Sequence, residues 1–395
     1  MIFRIALVLL LSTSQVLVAG SVTDRVSQLR DASFLLQTAD GRVLQSHLSS
    51  TPRVPASILK ILTAWLALEH WGGDYHFVTE FFLDKDQLLW IKGYGDPVLV
   101  SEELERIAEV LKKRGLGNIK GIGTDAGFYA PDIAVDGQAG SSNPYDAPVA
   151  ALLANFNTVN LDLKNGEITS AEPQTPLTET AKKLGKTLTR DGVQRINLQD
   201  QHSSETYLAE ILRHKLIDAG VRVGKRIESG QLPDGARLIY RHENSKPLRD
   251  VIQAMLKYST NLIANQIFLD LGAAAYGPPA TMDKAVSFAR EKIAESLGWK
   301  DYVIAEGAGL SRRNRLSVQQ MITLLRQFEP YKNLLPRKQP RVRAKTGTLN
   351  GVRSYAGYIE SDRGSYPFAI IFNRAVKRDL RYRLVQEWKN NPGGK

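Results

Sequence analysis

The chain of 395 residues contains no cysteine. That excludes disulfides, a thiol nucleophile and lipid attachment at a cysteine. Long apolar runs are also missing: beyond the N-terminal stretch, none is long enough to span a bilayer. Histidines stand at His47, His70, His76, His202, His214 and His242, with no ligand spacing among them, so no metal or other cofactor is expected. Neither a Walker A loop nor a dinucleotide fingerprint is present, and no Gly-x-Ser-x-Gly supports a Ser/His/Asp site. Internal repeats and low-complexity segments are absent as well.

What the chain does carry is positive charge, +11 in formal balance. The basic residues are scattered rather than gathered in one arm, and no nucleic-acid motif accompanies them, so nucleic acid is not an expected partner. The N-terminus reads as a secretory signal: Arg4, an apolar core from Ile5 to Leu11, then Val18-Ala19-Gly20, with cleavage after Ala19 or Gly20 equally compatible. An exported protein, periplasmic or otherwise extracytoplasmic, is expected, either soluble or held peripherally. For such a protein, anionic envelope polymers or membrane surfaces are the natural attraction for basic charge. The remaining chain of about 375 residues is long enough for two or three domains.

The texture changes twice along the chain. Val22 to Arg30 reads as a short helix, followed by two strand-like runs around Asp40-Gly41, a hairpin signal because both turn positions favour positive φ. From about His76 to Gly235, short strand-like pieces alternate with Gly-, Asp- and Pro-rich loops, while Ser101–Gly115 and Glu205–Gly220 read as helices. This suggests an inserted, mostly β module. From Ser245 the pattern is α-rich: Pro247 to Gly272 as one long helix or two abutting ones, then Met282–Leu297 and Ser317–Phe328. A β meander from Arg343 and a last helix from about Asp379 complete the chain.

Three short patterns carry the chemistry. Pro55-Ala56-Ser57-Ile58-Leu59-Lys60 opens an apolar helix, and the spacing puts Ser57 and Lys60 on one face, a turn apart. Desolvation lowers a lysine's pKa, and a neutral lysine can take a proton from serine. Tyr258-Ser259-Thr260-Asn261 interrupts an apolar helical pattern, where Ser and Asn compete with the backbone for hydrogen bonds. Ser141-x-Asn143 has the same form but sits in a Gly/Ser/Pro loop and reads as a decoy. Lys345-Thr346-Gly347-Thr348 combines a cation and two hydroxyls with a residue that lets a ligand backbone come close. Each of these short patterns alone is more often structural than functional. The first and the last occur once each, and the three stand in the order Ser-x-x-Lys, Ser-x-Asn, Lys-Thr-Gly.

That order is the constellation of the penicillin-recognising serine acyltransferases. The chain resembles the D-alanyl-D-alanine carboxypeptidase/endopeptidase family, the low-molecular-mass class C penicillin-binding proteins of the penicillin-binding protein 4 type. The resemblance also covers Gly93-Tyr94-Gly95-Asp96-Pro97, Tyr145-Asp146-Ala147-Pro148, Asn155-Phe156-Asn157, Gly307-Ala308-Gly309-Leu310-Ser311-Arg312 and Ala344 to Leu349. It implies an α/β (α+β) penicillin-recognising serine transferase domain, DD-peptidase/β-lactamase-like, built from 21–76 and 240–395. A mostly β domain, 77–239, is inserted into it, and residues 1–20 are the signal. It implies Ser57 as nucleophile, Lys60 as general base, and Ser259 relaying a proton with help from Lys345. Asn261 would position the substrate amide, Thr346 and Thr348 would bind the terminal carboxylate, and Gly347 of the same substrate-binding strand would let the ligand backbone come close. The implied partners are peptidoglycan peptides, with β-lactams as covalent inhibitors. Thr260 stands where Asp is commoner. Relatives often insert a further domain, which about 160 residues leave little room for. A β-lactamase, a related esterase and a non-enzymatic envelope scaffold are the rival readings, and oligomeric state is not readable.

Overall fold

The computed structural model describes residues 21–393; residues 1–20, which read as a signal in the sequence, lie outside the described residues. The chain opens with α1 (Val22–Ser27), closed by a capping box in which Ser21 and Asp24 satisfy each other's backbone N–H groups. Strands β1 (Ala32–Gln37) and β2 (Val43–His47) follow as an antiparallel pair. Their connection is wider than a two-residue turn: Thr38 N–H donates to Arg42 O, and only Gly41, not Asp40, has positive φ. β1 is buried at all six positions, because it lies inside its sheet and is covered on both faces.

After α2 (Lys60–Trp71) come β3 (His76–Leu83), β4 (Leu88–Gly93), α3 (Ser101–Lys113) and β5 (Asn118–Asp125). The α3 amphipathic pattern buries Leu104, Ile107, Ala108 and Leu111 on one face, at the helical spacing of three and four. Then follow β6 (Thr158–Lys164), β7 (Glu167–Ser170), α4 (Glu179–Gly185), β8 (Gly192–Asn197), α5 (Gln201–Asp218), β9 (Arg222–Ser229) and β10 (Arg237–Pro247). The C-terminal part holds α6 (Leu248–Tyr258), α7 (Asn261–Tyr276), α8 (Met282–Ser296), α9 (Val318–Gln327), β11 (Arg337–Gln339), β12 (Val342–Leu349), β13 (Val352–Ser361), β14 (Gly364–Phe372) and α10 (Leu380–Asn390).

The strands form three sheets. One has six strands in the order β11-β12-β13-β14-β1-β2, all antiparallel, so the N-terminal hairpin completes a C-terminal meander. The second, β10-β3-β4-β5-β9, is mixed: β4, β5 and β9 run parallel, with α3 and α5 packed together beside them. The third is β7-β6-β8. The largest apolar cluster joins α2, α6, α7, α8 and α9 to one face of the six-stranded sheet, and α1 and α10 cover the other. This three-layer packing holds α2 between sheet and helices and buries every residue from Lys60 to Leu68. Among the described residues no helix is long and apolar enough to cross a membrane.

Candidate active site

Ser57 lies in a single 3₁₀ turn, Ala56–Leu59, that runs into α2 at Lys60. In that geometry side chains three apart eclipse, so serine and lysine align more closely than on an α-helix. Lys60 Nζ sits 3.2 Å from Ser57 Oγ, 2.8 Å from Asn261 Oδ1 and 2.6 Å from Ala308 O. The amine is fully buried. Burial pulls its pKa down to about 7, and the Glu306 carboxylate pushes the other way.

The interruption expected near Ser259 is a true break between two helices. Ser259 caps α6 in the left-handed region at φ 61°, and α7 starts at Asn261. Such a conformation costs a non-glycine residue about 1–3 kcal/mol and recurs at functional sites. Here it aims both side chains at the lysines. Lys345 Nζ donates to Ser259 Oγ at 2.7 Å and to Thr346 O at 2.8 Å. Its pKa is lowered to about 6, first by burial and then by Lys60, Lys338 and Arg381. The structure therefore brings the five together as two hydrogen-bonded groups, Ser57–Lys60–Asn261 and Ser259–Lys345, close enough for Lys60 to act on the Lys345 charge.

Thr346, Gly347 and Thr348 follow on β12, pairing with Tyr355, Ser354 and Arg353 of β13. On its other edge β12 pairs with β11 only at Val342 and Arg343, so the stretch from Lys345 onward has no strand beside it. A Cβ on Gly347 would lie 2.1 Å from Ser354 Oγ and 2.9 Å from Ser57 N, so only glycine lets the strand approach the serine turn this closely. Arg381 of α10 pins the strand by donating to Gly347 O at 2.8 Å and Ser354 O at 3.0 Å.

Sequence reasoning left the loop after Ile304 without a role. Glu306 has no exposed surface and organises this loop from within. Its Oε2 accepts from Ala308 N–H at 2.8 Å; its Oε1 accepts from Gly309 N–H, Leu310 N–H and Asn314 Nδ2 at 2.7, 2.8 and 2.7 Å. The loop so held offers Ala308 O to Lys60 and Gly307 O to Thr63 Oγ1 at 2.6 Å. A glutamate before a glycine run is the only trace of this in the sequence. Ser141-x-Asn143, read as a decoy, does not join the lysines, yet its loop reaches the site: Tyr145 O accepts from Asn261 Nδ2 at 3.1 Å. Among the described residues no group of acidic, histidine or cysteine side chains could hold a metal ion.

Thr63→Val tests the loop's second anchor. It leaves Gly307 O buried without its donor and should cost about 1–3 kcal/mol of stability, read as a lower urea midpoint at unchanged slope. An unchanged midpoint would remove this hydrogen bond from the support of the site.

Crystal structures of penicillin binding protein 4 from Haemophilus influenzae have the same architecture. One superposes with a TM-score of 0.76 at 21% identity, covering 94% of this chain and 99% of that one. The same protein complexed with a β-lactam gives a TM-score of 0.71, also at 21% identity, over 95% of this chain and 99% of that one. The fold is thus that of the penicillin-binding serine transferases. A profile of the D-Ala-D-Ala carboxypeptidase 3 (S13) family matches residues 21–339 and 333–391, and the chain belongs to that family. The D-alanyl-D-alanine carboxypeptidase DacB of Haemophilus influenzae is 27% identical over 187 residues, a match that spans 41% of this chain and 39% of that protein. The D-alanyl-D-alanine carboxypeptidase of an Actinomadura species is 23% identical over 414 residues, 86% of this chain and 77% of that protein.

Proposed function

We propose that this protein is an exported serine DD-peptidase that cleaves D-alanyl-D-alanine bonds of peptidoglycan peptides and cross-links through an acyl-serine. The observation that carries the reading is the set of partners around Lys60 Nζ. Two of the three, Asn261 Oδ1 and Ala308 O, can only accept hydrogen bonds. A neutral amine has two N–H groups to give them, and its lone pair is then left for the third partner, Ser57 Oγ. With a pKa near 7, the amine is largely neutral at mildly alkaline pH. It is therefore placed to take the serine proton.

On this reading Ser57 Oγ attacks the carbonyl between the two D-alanines while its proton passes to Lys60. The oxyanion is held by the backbone N–H groups of Ser57 and Thr348, which the close approach at Gly347 brings towards one another. As the C–N bond breaks, Ser259 passes a proton to the leaving amine and is resupplied with the one Lys60 took from Ser57, assisted by Lys345, which is hydrogen-bonded to Ser259 Oγ. The peptide adds as a strand along the open edge of β12, with its carboxylate at Thr346 and Thr348. Water then hydrolyses the ester. A β-lactamase would need a carboxylate free to activate that water. Glu306, the buried carboxylate acting on Lys60, instead has both oxygens taken by the loop. Arg4, the Ile5–Leu11 core and Val18-Ala19-Gly20 support export.

The test is to incubate the mature protein with a fluorescent penicillin and a D-Ala-D-Ala peptide, then digest and map the adduct. A stable penicilloyl group on the Ser57 peptide, with release of D-alanine from the substrate, is the expected result. Rapid penicillin turnover would move the protein to the β-lactamases, and no adduct on folded protein would sink the assignment.

A further inference from the structure

Away from the serine, two clefts meet at a pair of aromatic rings. The first, about 910 Å³, opens at the C-terminal ends of the parallel strands β4, β5 and β9, where Lys92, Asp125 and Ser229 stand, with Gln201 and Glu205 from the first turns of α5. The second, about 540 Å³, lies against Trp71, Tyr75 and Asp270. Tyr94 and Phe128 line both clefts and pack edge to face, with ring centroids 5.4 Å apart. On the far side Trp71 stacks on Tyr75 at 4.8 Å.

A pocket that sheet ends and helix starts create can be mere packing geometry. Two features argue otherwise. Asp270 is 4% exposed; its Oδ1 accepts from Tyr129 Oη at 2.8 Å, while its Oδ2 has no partner in the protein. Burial raises its pKa well above the usual carboxylate value, with Asp96 adding to the effect, which favours the protonated form, a hydrogen-bond donor. In the first cleft, polar groups of both kinds are held rigidly. Asp125 Oδ1 and Oδ2 accept from Gly127 and Leu232 N–H groups, Lys92 sits 3.8 Å from Asp125, and Glu205 accepts from Thr124 Oγ1 at 2.8 Å.

We infer that these joined clefts bind the glycan strand of peptidoglycan, with sugar rings stacked on Tyr94 and Phe128. A sugar ring presents an apolar C–H face to an aromatic and a rim of hydroxyl and amide groups, which need both donors and acceptors. Aromatic walls, an amide at Gln201, carboxyl groups at Asp125 and Asp270 and an amine at Lys92 match that mixture. The cations Lys92 and Arg241 face Asp74, Asp125, Glu205 and Glu243 in the lining, which disfavours an anionic ligand. The placement fits too. Asp270 and Asn261 are on the same helix, separated by roughly 13 Å of axial rise. Four extended residues lie between the sugar and the terminal bond of a pentapeptide and span roughly 13 Å. The proposal rests on the DD-peptidase reading for its ligand, since the stem peptide is what ties the sugar to the serine.

The experiment compares kcat/KM for a disaccharide-pentapeptide and the same pentapeptide without sugar, in wild type, Phe128→Ala and Asp270→Asn. Binding of chitotetraose is followed by calorimetry in the same three proteins. The expected result is a preference of about tenfold for the sugar-bearing substrate that collapses in Phe128→Ala, with chitotetraose binding lost in parallel. Asp270→Asn keeps a donor and is expected to retain part of both. No preference in wild type, or a preference and binding that survive in folded Phe128→Ala, would overturn the inference. Wild type that cleaves neither substrate yet binds chitotetraose through Phe128 would sink the peptidase reading while supporting the cleft. A cleft that binds the free pentapeptide but not chitotetraose would refute a sugar site.

Discussion

Lys60→Met should slow acylation by benzylpenicillin by about 10²- to 10⁴-fold, the span expected when a positioned general base is removed. Methionine nearly matches the lysine stem in volume, so the buried position stays filled and the variant should fold. The rate is read by stopped-flow or gel fluorescence against time, with a thermal melt as control. A folded variant that acylates at the wild-type rate would take Lys60 out of the proton transfer. In the wild type, acylation should rise with pH through about 7 and level off above it, because only the neutral amine accepts the proton. The stability effect has a definite sign. Lysine in the unfolded chain titrates near 10.5 and in the folded protein near 7, so between these values the unfolded state holds more protons. Stability from this group therefore rises with pH across that window, and Lys60→Met should lack the rise.

Glu306→Gln should be the most damaging isosteric change in the molecule. If the amide oxygen stays where Oε1 accepts from Gly309 and Leu310, the new NH₂ faces the Ala308 N–H, donor against donor. One buried hydrogen bond is lost and another group left unmatched, at a cost of about 1–3 kcal/mol each. Ala308 O, which orients Lys60, moves with the loop, so acylation should fall as well. The pH profile separates this from simple loosening. The Glu306 charge raises the Lys60 pKa, and removing it should shift the rise in acylation to lower pH. The charges facing Lys60 are Glu306 and Lys345, and Lys345 is untouched by the substitution. A variant with lower rate but an unmoved profile would reduce Glu306 to scaffolding.

The parts of this site that could be read in advance share one property: each is a local pattern. Serine and lysine three apart must share a face in any tight helix, and a glycine between two threonines on a strand must leave room beside it. The chain direction of the three patterns carried the fold class, since ordered motifs narrow the architecture to one family. What could not be read is what depends on contacts between distant segments. Ser57 lies in a 3₁₀ turn rather than an α-helical one, because the Glu306 loop and β12 press on it from two sides. Gly309 shows the same constraint: at φ 81°, a Cβ there would lie 2.1 Å from Ala56 O. The run Asn155-Phe156-Asn157 holds three consecutive residues at φ 51°, 58° and 55°. Asparagine tolerates that region better than most side chains, but nothing in Phe156 announces a run of three. Its cause is again remote, for Asn155 Oδ1 accepts from the Ser101 N–H at the start of α3.

The position of β1 has a consequence for how the molecule is made. This strand lies between β2 and β14, so one of its two partners is synthesised long after it. Glu387 of α10 likewise accepts from the backbone N–H groups of Val22 and Thr23, at 2.6 and 3.0 Å, joining α1 to α10 across most of the described sequence. A growing polypeptide that already contains Ser57 and Lys60 therefore has no finished sheet to press them together. Contacts of such long sequence separation fold slowly, because the loop must close before any of them forms. The nucleophile is translated long before β14 and α10, and its activity waits on both.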